Sequence, residues 1–391
     1  MNETGERSDA AAEHVPNRDV TIVAHDAGSV GGMERQLAEL IEGLDSRGYD
    51  VTVIARSCEV ANKERVRFHR VRGPGRPFLL AYPWFLIAGT LAVRRHRRGV
   101  VQATGAIVLN RVDVIAVHCC HQAYEAKPGR PTRMFRAYGR AVGVLKRVVE
   151  RWCVRLNPTA TFVCVSDGVA TEMREYFPRT AGRVVTIHNG VDTRAFAPGS
   201  RRTDALELRA GLGLPEGRLV AAFVGGDWEH KGLAHAIRAL EQAREWELVV
   251  AGRGQPELYR DLACSSGVEE RVHWLGVRSD IEPVFELADA FVLPSSYETF
   301  SLVTFEAAAT GLPIIATPVN GVRELIEDGV NGYLIDASAD AIAERLRGLA
   351  ANQQLRERLG VAARSSALAF PWERMIAEHS ALYGRLADGH A

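Results

Sequence analysis

The sequence lacks the cysteine spacing of a zinc or redox site. Its six cysteines form neither CxxC nor CxxH pairs, which excludes the usual zinc-finger and thioredoxin-like arrangements. Free thiols of this kind are typical of a protein kept in a reducing cytosol. We therefore expect a cytoplasmic protein without disulfides. The cysteines are Cys58, Cys119, Cys120, Cys153, Cys164 and Cys264.

The chain also lacks a hydrophobic run of the kind that leads to export or spans a membrane. Residues 1–18 are polar and contain no apolar core, so they are not a secretory signal and are predicted to be disordered. The apolar stretch 78–93 contains a proline and is shorter than the roughly 20 residues that cross a bilayer. This stretch is predicted to be a buried helix.

Net charge is absent over the whole chain but not within its halves. Residues 1–196 contain 29 Lys and Arg against 20 Asp and Glu, and the remaining residues contain 19 against 28. The halves therefore carry formal charges of +9 and −9. A basic first half favours partners that carry phosphate or a membrane surface, and complementary docking of the two halves explains it equally well.

What the chain does contain is an alternation of short β-branched runs and longer amphipathic stretches. Runs such as DVTIVAHDA, DVTVIAR, RLVAAFVGG and WELVVAG are apolar on both faces, which is typical of parallel strands buried between helices. Two such sets meet near residues 196–204. The 391 residues are therefore predicted to form an α/β protein of two Rossmann-like domains with a cleft between them.

Residues 133–156 form a predicted amphipathic helix with one basic face. At about 100° per residue, its arginines fall within roughly one third of the circumference, with apolar residues opposite. A solvated basic face and docking onto anionic lipid headgroups both remain open. The arginines are Arg133, Arg136, Arg140, Arg147, Arg151 and Arg155, and the apolar residues are Phe135, Val142, Leu145, Val149 and Trp152.

The stretch YETFSLVTFE, residues 297–306, carries two glutamates around an apolar run. It follows the predicted strand DAFVLPSS and opens a helical pattern, so Ser301 is expected near a helix N-terminus, where free N–H groups suit a diphosphate. Glu298 is then expected at the carboxyl edge of the sheet. Glu306, about two turns into the helix, can accept hydrogen bonds from a ribose diol. A capping glutamate and a surface glutamate are the alternative interpretation.

Three glycine-rich turns follow predicted strands. FVGGDWEHKG, residues 223–232, places Lys231 at the start of a helix, where it can neutralise phosphate. GSVGGMERQL, residues 28–37, contains Gly31 and Gly32, which either let the backbone approach a ligand closely or form a tight turn. The third turn, VAGRGQ, has too short a GxG for a dinucleotide fingerprint. A nicotinamide oxidoreductase is therefore disfavoured.

In order and spacing, these motifs resemble the retaining GT-B glycosyltransferases of family 4. The resemblance covers nearly all of the chain after residue 18 and includes GGMERQLAELIEGLDSRGYDVTVIA, VCVSDGVATEM, VVTIHNGVDTRAFAPG and ETFSLVTFEAAATGLPIIAT, the last matching that family's EX7E signature. It implies a GT-B fold with an acceptor-binding domain over 19–190 and a nucleotide-sugar-binding domain over 191–371. The closing PWERMIAEHSALYGRL implies that a helix of about residues 372–391 crosses back to complete the first domain.

The resemblance also implies roles for individual residues. Lys231 would hold the donor diphosphate, Glu306 the nucleotide ribose, and Glu298 the hydroxyls of the donor sugar. His118 matches a histidine near the transferred sugar, and His121 competes for that role. The implied catalytic residues are His118, Lys231 and Glu298, and the implied donor-binding residues are Gly31, Gly32, Gly225, Lys231, Arg253, Glu298, Phe300, Ser301, Leu302 and Glu306.

Two positions depart from the family's pattern. Gly226 stands where many members have an arginine, so a second cation on the diphosphate must come from elsewhere, with Arg253 and Arg278 as candidates. Ser301 replaces a more frequent glycine of the phosphate loop, so either its hydroxyl adds a bond to phosphate or the loop geometry differs. The lysine and both glutamates persist, which favours an active enzyme.

The resemblance implies an enzyme that transfers a hexosyl group from a nucleotide-diphosphate sugar to an acceptor hydroxyl with retained configuration. No DxD-type or His/Asp cluster at metal spacing accompanies the phosphate loops, so we expect no metal and no cofactor beyond the nucleotide-sugar co-substrate. The acceptor is expected to be a glycan, a lipid-linked molecule or a small molecule, and no nucleic-acid partner is expected.

Two alternatives to sugar transfer remain at this point. A nucleotide-sugar epimerase of the same fold would need no acceptor, and a catalytically degenerate partner subunit would bind a nucleotide sugar without turnover. The expected location is the cytoplasm. Peripheral contact with the anionic inner face of the cell membrane is the further expectation if the basic helix binds lipid.

Overall fold

The structure is a computed structural model that describes residues 18–28, 31–61, 63–124 and 133–389, with the side chains of the last range from residue 137 onward. The predicted disorder of residues 1–18 lies outside these ranges except for Arg18. Within them, helices cover two parallel sheets, which confirms the predicted α/β class with two Rossmann-like domains.

The first domain contains one large sheet and a short ribbon. Its strands are β1 (Asp19–Val23), β2 (Asp26–Ala27), β3 (Asp50–Ala55), β4 (Ser57–Cys58), β5 (Val66–Arg70), β6 (Val100–Thr104), β7 (Val114–Val117), β8 (Thr161–Cys164) and β9 (Val184–Thr186). Seven of them pair in the order β5-β3-β1-β6-β7-β8-β9, and every pairing is parallel. The remaining pair, β2 and β4, forms the ribbon. Central strands such as β6 and β7 are buried along their whole length because helices cover both faces.

The helices of the first domain are amphipathic and bury one face. They are α1 (Gly32–Ser46), α2 (Phe78–His96), α3 (Arg133–Leu156) and α4 (Asp167–Tyr176), followed by a 3-10 helix (Pro178–Arg183). In α1, Leu37, Leu40 and Leu44 lie one turn apart and are buried. Helix α4 begins after Ser166, whose Oγ accepts the Val169 N–H at 3.2 Å and so caps the helix.

The second domain contains a six-stranded parallel sheet. Its strands are β10 (Leu219–Val224), β11 (Trp246–Ala251), β12 (Val272–Gly276), β13 (Ala290–Leu293), β14 (Ile314–Ala316) and β15 (Gly332–Leu334). They pair in the order β12-β11-β10-β13-β14-β15. Its helices are α5 (Arg202–Gly211), α6 (Leu233–Ala239), α7 (Pro256–Ser265), a 3-10 helix (Glu269–Arg271), α8 (Glu282–Glu286), α9 (Leu302–Ala309), α10 (Val322–Leu325), α11 (Ala339–Ala351) and α12 (Gln353–Ala367).

The final helix, α13 (Trp372–Asp388), packs against the first domain rather than the second. The Tyr383 hydroxyl donates to Gln102 Oε1 of β6 at 2.7 Å. Ile376 lies so close to Gly43 of α1 that a Cβ at Gly43 would come within 2.3 Å of Ile376 Cδ1. Although α13 comes last among the helices, it is therefore part of the first domain.

The strand order reverses at β10 in the second sheet, between β10 and β13. At such a switch point the loops after the two strands leave in opposite directions and open a crevice at the carboxyl edge of the sheet. The loops that flank it are residues 225–232 after β10 and residues 294–301 after β13. The motifs with Lys231 and Glu298 therefore lie on the two sides of one crevice.

Two sequence-based expectations about helix faces are wrong. Helix α2, predicted to be buried, buries one side only, and its other side exposes large apolar residues. Trp152 of α3 was predicted to lie opposite the arginines, on the side that a core-packed helix would bury, and it is 57% exposed. Helical periodicity identifies an apolar stripe, but the tertiary neighbours of the helix decide whether that stripe is covered.

Candidate active site

Lys231 and Glu298 form an ion pair across the crevice of the second domain. Lys231 Nζ donates to Glu298 Oε1, and Ser295 Oγ donates to the same oxygen at 2.7 Å. Gly225 lies directly beside the lysine, and a Cβ there would be in ordinary contact with Lys231 Cε at 3.4 Å. Gly232 has φ +76, and a Cβ at this residue would come within 2.3 Å of the Pro294 carbonyl oxygen. Gly232 therefore lets the two loops approach closely enough for the ion pair to form.

The loop at residues 300–302 leads directly into α9, as the sequence predicts. Ser301 is the N-cap residue and has φ 70 and ψ 62, a left-handed conformation that favours glycine. Its Oγ forms a hydrogen bond with Thr304 Oγ1 at 2.8 Å. The substitution of serine for glycine thus keeps the left-handed geometry, and the hydroxyl is engaged within the first helical turn.

The Phe300 ring anchors this loop in the core. Phe300 stacks on Phe305 with a centroid separation of 4.1 Å. Gly321, with φ +77, packs against the Phe300 carbonyl, where a Cβ would come within 2.0 Å of the oxygen. The free N–H groups at the start of α9 are consequently held at a fixed place beside Lys231's crevice.

Glu306 lies on α9 and is only 2% exposed. Its Oε1 accepts a hydrogen bond from Arg35 of α1, and the two side chains form an ion pair between the domains. Among the described residues, Glu306 Oε2 has no hydrogen-bond partner. Burial raises the pKa of Glu306, and the Arg35 charge opposes that shift. An orphaned carboxylate oxygen in the interior is destabilising unless a ligand satisfies it.

Gly31 and Gly32 lie at the start of α1, where the first domain faces the start of α9. Gly31 precedes α1 with φ +103, where a Cβ would lie 2.2 Å from Glu34 Oε2. A Cβ at Gly32 would contact Leu302 Cδ1 at 3.4 Å. The start of α1 therefore lies against the start of α9, next to the ion pair between Arg35 and Glu306.

His118 follows β7 and points toward α1. Its Nε2 donates to Gln36 Oε1 at 3.1 Å, and the Gln36 amide in turn donates to Met375 Sδ at 3.7 Å. Burial, assisted by the nearby His379, lowers the pKa of His118 to about 4. The imidazole is therefore neutral near pH 7, and it is held by the residue adjacent to Arg35.

His121 occupies a different environment. Its backbone N–H donates to Glu150 Oε1 at 2.9 Å, which ties this turn to α3. Burial lowers the pKa of His121 to about 4, assisted by Lys146 and Arg147. Of the two histidines, His118 is the one whose ring forms a hydrogen bond with α1.

The sequence offers Arg253 and Arg278 as a second cation, and the two differ in whether the side chain already has a partner among the described residues. The Arg278 side chain donates to Asp280 Oδ2 at 2.6 Å and to the Asp280 carbonyl at 3.2 Å. Arg253 is exposed, and its carbonyl oxygen lies 3.9 Å from the place where Gly226 would carry a Cβ. Arg35, which sequence reasoning did not consider, is the arginine that reaches Glu306. No local pattern marks it, because Glu306 lies 271 residues further along the chain.

Further polar contacts join the domains across the cleft. Tyr124 Oη and His230 Nε2 form a hydrogen bond of 2.9 Å. Tyr297 Oη donates to Glu172 Oε2 at 3.3 Å, and Asn320 Nδ2 donates to Glu172 Oε1 at 2.7 Å. None of these residues stands out in the sequence, because each acquires a partner only when the two sheets face each other.

One group among the described residues has the side chains to hold a metal ion, namely Asp167, His188 and Glu324. Glu324 already accepts hydrogen bonds from the backbone N–H groups of Asp167 and Gly168 and from His188 Nε2, at 2.6–3.1 Å. Burial would raise the pKa of Glu324, but these hydrogen bonds together lower it. The group links the second domain to the start of α4.

Family models match both halves of the chain. Residues 30–195 match the model described as Glycosyltransferase Family 4, and residues 204–366 match the model described as Glycosyl transferases group 1. The D-inositol 3-phosphate glycosyltransferase of Xylanimonas cellulosilytica is 29% identical over 393 residues, which cover 92% of each chain. Corynebacterial enzymes of the same name match over 54% and 53% of their own length.

Solved structures share the fold. WaaG, a glycosyltransferase involved in lipopolysaccharide biosynthesis, superposes with a TM-score of 0.76 at 19% identity, over 93% of this chain and 99% of that one. Anabaena HepE in complex with UDP-glucose superposes with a TM-score of 0.72 at 20% identity, over 93% and 99% of the two chains. At these identities the likeness concerns the fold.

Proposed function

We propose that this chain, which belongs to family 4 of the glycosyltransferases and has the GT-B fold, transfers a hexosyl group from a nucleotide-diphosphate sugar to an acceptor hydroxyl with retention and without a metal ion. The observation that carries the proposal is Glu306, whose buried Oε2 has no partner among the described residues. Two adjacent ribose hydroxyls would supply the missing donors. Lys231 and the start of α9 then lie where a diphosphate attached to that ribose would extend.

Departure of the nucleoside diphosphate requires positive charge and oriented N–H groups. Lys231 supplies a cation at the crevice, and the free N–H groups at the start of α9 supply fixed dipoles. Such preorganised groups stabilise charge that develops in the transition state more effectively than mobile water does. These groups make a metal ion unnecessary for leaving-group stabilisation in the proposed mechanism.

Arg35 supplies the second cation in this proposal. Without a ligand it pairs with Glu306 across the domains. When ribose hydroxyls donate to Glu306, the carboxylate gains alternative partners, and the guanidinium can turn to the diphosphate in a bidentate contact. Arg35 would thereby perform the role of the arginine that is missing at Gly226. It would also couple donor binding to the approach of the two domains.

Glu298 and His118 act at the sugar. Glu298, already oriented by Ser295 and Lys231, would accept hydrogen bonds from hydroxyls of the donor sugar. The neutral His118 imidazole would contact the transferred sugar from the first domain. The acceptor hydroxyl attacks the anomeric carbon on the face that the diphosphate leaves, so its proton passes to a departing phosphate oxygen and the configuration is retained. Closure of the cleft excludes water that would otherwise compete as an acceptor.

The names of similar proteins suggest the first substrates to try. The HepE structure is a complex with UDP-glucose, and a relative that is matched over 92% of its length is named D-inositol 3-phosphate glycosyltransferase. We therefore propose a UDP-hexose as the donor to test first and a phosphorylated polyol as the first acceptor. A glycan or a lipid-linked acceptor remains within the proposal.

Calorimetry without metal tests the donor site. UDP, GDP and ADP are titrated into the purified chain in the presence of EDTA. One nucleotide is expected to bind, and Lys231→Ala and Glu306→Ala are each expected to weaken it by about tenfold or more. Arg347→Ala, an exposed cation on α11, is the control and should bind as the unchanged chain does. Absence of binding by all three nucleotides would refute the site assignment.

Product analysis then separates the proposed reaction from its alternatives. A glycosylated acceptor with an anomeric configuration equal to that of the donor supports retaining transfer. An epimerised nucleotide sugar formed without acceptor identifies an epimerase, and binding without any turnover identifies a degenerate subunit. Transfer that stops in EDTA and returns with a divalent cation would contradict the metal-independent mechanism.

A further inference from the structure

The outer side of α2 is apolar and exposed. Leu80, Trp84, Ile87 and Leu91 are 64%, 52%, 60% and 59% exposed. Their spacing of three and four residues places them along one side of the helix, opposite the side that packs on the first sheet. A contiguous apolar stripe of this length is uncommon on a surface that meets only water, and it marks an interaction site.

Arginines continue this stripe at the end of α2. Arg94 and Arg95 lie in its last turn, and Arg97 and Arg98 follow the helix; all four are exposed. Helix α2 contains neither aspartate nor glutamate. The outer surface of α2 therefore combines apolar side chains with positive charge.

Helix α3 lies beside α2 on the same face of the first sheet. The two helices connect β5 to β6 and β7 to β8, steps in the same direction across the sheet, and right-handed crossovers place such helices on one face. They are also in contact. The Phe78 N–H donates to Tyr138 Oη at 3.0 Å, and Lys146 Nζ lies 5.2 Å from the Phe78 ring centroid.

The exposed side of α3 repeats the same combination. Its exposed apolar residues are interleaved with exposed arginines: Val144, Val148 and Trp152 with Arg140, Arg151 and Arg155. The one carboxylate of α3, Glu150, is buried, where it accepts hydrogen bonds from the backbone N–H groups of His121 and Gln122. Over their described side chains, two adjacent helices thus expose apolar groups and cations but no acid.

This chemistry distinguishes between possible occupants. A second copy of the chain, related by a two-fold axis, would bring identical arginine clusters together. An anionic bilayer instead satisfies the apolar stripes and the arginines at once. No helix in the described part of the chain is long and apolar enough to cross a membrane, so α2 and α3 would lie along the surface.

We propose that the outer faces of α2 and α3 dock the protein on an anionic lipid bilayer. The apolar side chains enter the region between headgroups and acyl chains, and the arginines contact the lipid phosphates. The surface shares none of the donor-site residues, so the proposal goes beyond the proposed sugar transfer and does not depend on it.

Vesicle flotation of the full chain tests this docking. The protein is mixed with vesicles of phosphatidylcholine alone or of phosphatidylcholine with phosphatidylglycerol, at low and at high ionic strength. It is expected to float with the anionic vesicles, and less so in high salt. The double variants Ile87→Gln/Leu91→Gln and Arg94→Gln/Arg95→Gln should each lower the vesicle partition coefficient by about tenfold or more.

A matched control removes exposed leucines elsewhere. Leu206→Gln/Leu258→Gln changes two residues of the second domain that are 60% and 58% exposed, and it should float as the unchanged chain does. Circular dichroism confirms that each variant is folded. No flotation with anionic vesicles, or an equal loss in the control, would overturn the proposal.

Two further readouts identify the surface and the occupant. Brominated acyl chains should quench tryptophan fluorescence, and Trp84→Phe should remove a large part of that quenching, whereas quenching unchanged by this variant would contradict insertion of α2. Sedimentation velocity reports self-association. A dimer that Ile87→Gln/Leu91→Gln dissociates, in a chain that does not bind vesicles, would assign the surface to a second copy and overturn the membrane proposal.

Discussion

The two domains keep their buried ionisable side chains in different states. In the first domain and the α13 helix packed on it, burial lowers the pKa of four histidines to about 4, and it raises the pKa of buried thiols such as Cys120 and Cys153 to about 12. The histidines are His25, His118, His121 and His379. All of these groups are neutral near pH 7. In the second domain, buried carboxylates are instead paired with cations, as Glu298 is with Lys231 and Glu247 with Arg218.

The difference matches the chemistry proposed for each side of the cleft. A nucleotide sugar brings a diphosphate, which a domain with fixed charges can hold. The reacting hydroxyl of the acceptor itself brings no charge, even when the acceptor carries a phosphate elsewhere, and the neutral His118 imidazole suits it. Arg35 of the first domain and Glu306 of the second form an ion pair at the boundary between the neutral interior and the charged one.

The largest effect is expected from removing the charge of Lys231. Lys231→Gln keeps a donor for Glu298 but removes the cation that faces the diphosphate. Sugar transfer should slow by about 10²–10³-fold, because loss of one preorganised electrostatic group typically has this effect. Steady-state kinetics with the identified donor measures it. A turnover rate equal to that of the unchanged chain would mean that the second domain does not stabilise the leaving group through this lysine.

Removal of Arg35 should weaken nucleotide binding by about tenfold, since a charge-assisted contact to phosphate would be lost. The variant Arg35→Gln leaves Glu306 without its cation, and the burial that raises the Glu306 pKa is then unopposed. Calorimetry with the preferred nucleotide provides the measurement.

The opposite result would be equally informative. If Arg35 only blocks the ribose site in the free protein, Arg35→Gln should bind the nucleotide more tightly than the unchanged chain. Arg47→Gln, at the other end of α1 and half-buried, controls for the loss of a first-domain cation. Tighter binding by Arg35→Gln would refute the proposed transfer of the arginine from carboxylate to diphosphate.

The neutral histidines predict how stability depends on pH. An unfolded histidine binds a proton near pH 6.5, and the four buried ones do so only near pH 4. Between these values the unfolded state binds more protons, so the free energy of unfolding should fall as pH decreases from about 6.5 to about 4. Each histidine contributes up to about 1.4 kcal/mol per pH unit. Urea unfolding at several pH values measures the slope.

A variant identifies the source of this slope. His379 Nδ1–H donates to the Met375 carbonyl at 2.9 Å, and His379→Gln removes the titrating ring while keeping a side-chain amide donor. Its stability should decline less steeply with falling pH. His25→Gln provides a second case in the same domain. An unchanged slope in both variants would mean that the first domain's histidines are not the groups that titrate on unfolding.

Much of the fold was predictable because its physical causes are local. Strands such as β10, with the sequence LVAAFV, are apolar on both faces, and only a sheet covered on both sides buries them. Whether the apolar stripe of α2 is buried or exposed was not predictable in the same way. An apolar helical stripe has the same periodicity whether it faces a protein core or remains exposed, so Leu80 and Ile87 were wrongly expected to be buried.

The candidate site likewise contains residues that local motifs identify and residues that they do not. Lys231, Glu298 and Glu306 belong to short motifs whose spacing around a strand and a helix indicates a phosphate-binding crevice, and their roles remain predictions. Arg35 and Tyr297 could not be identified, because their partners Glu306 and Glu172 lie far away in the chain. Such contacts depend on how the two sheets face each other, which no local pattern records.

The smallest effect is expected at Ser301, where the second domain keeps a non-glycine residue in a left-handed conformation. Ser301→Gly should change the free energy of unfolding by about 1 kcal/mol or less, because relief of the left-handed strain is offset by the lost bond to Thr304 and by a more flexible unfolded chain. Nucleotide affinity should persist, since the hydroxyl is already engaged. Asp227→Gly, at another left-handed position with φ 52, is the matched control for strain relief. A tenfold loss of affinity in Ser301→Gly alone would show that the Ser301 hydroxyl contacts phosphate and that the donor loop depends on this side chain as well as on its backbone.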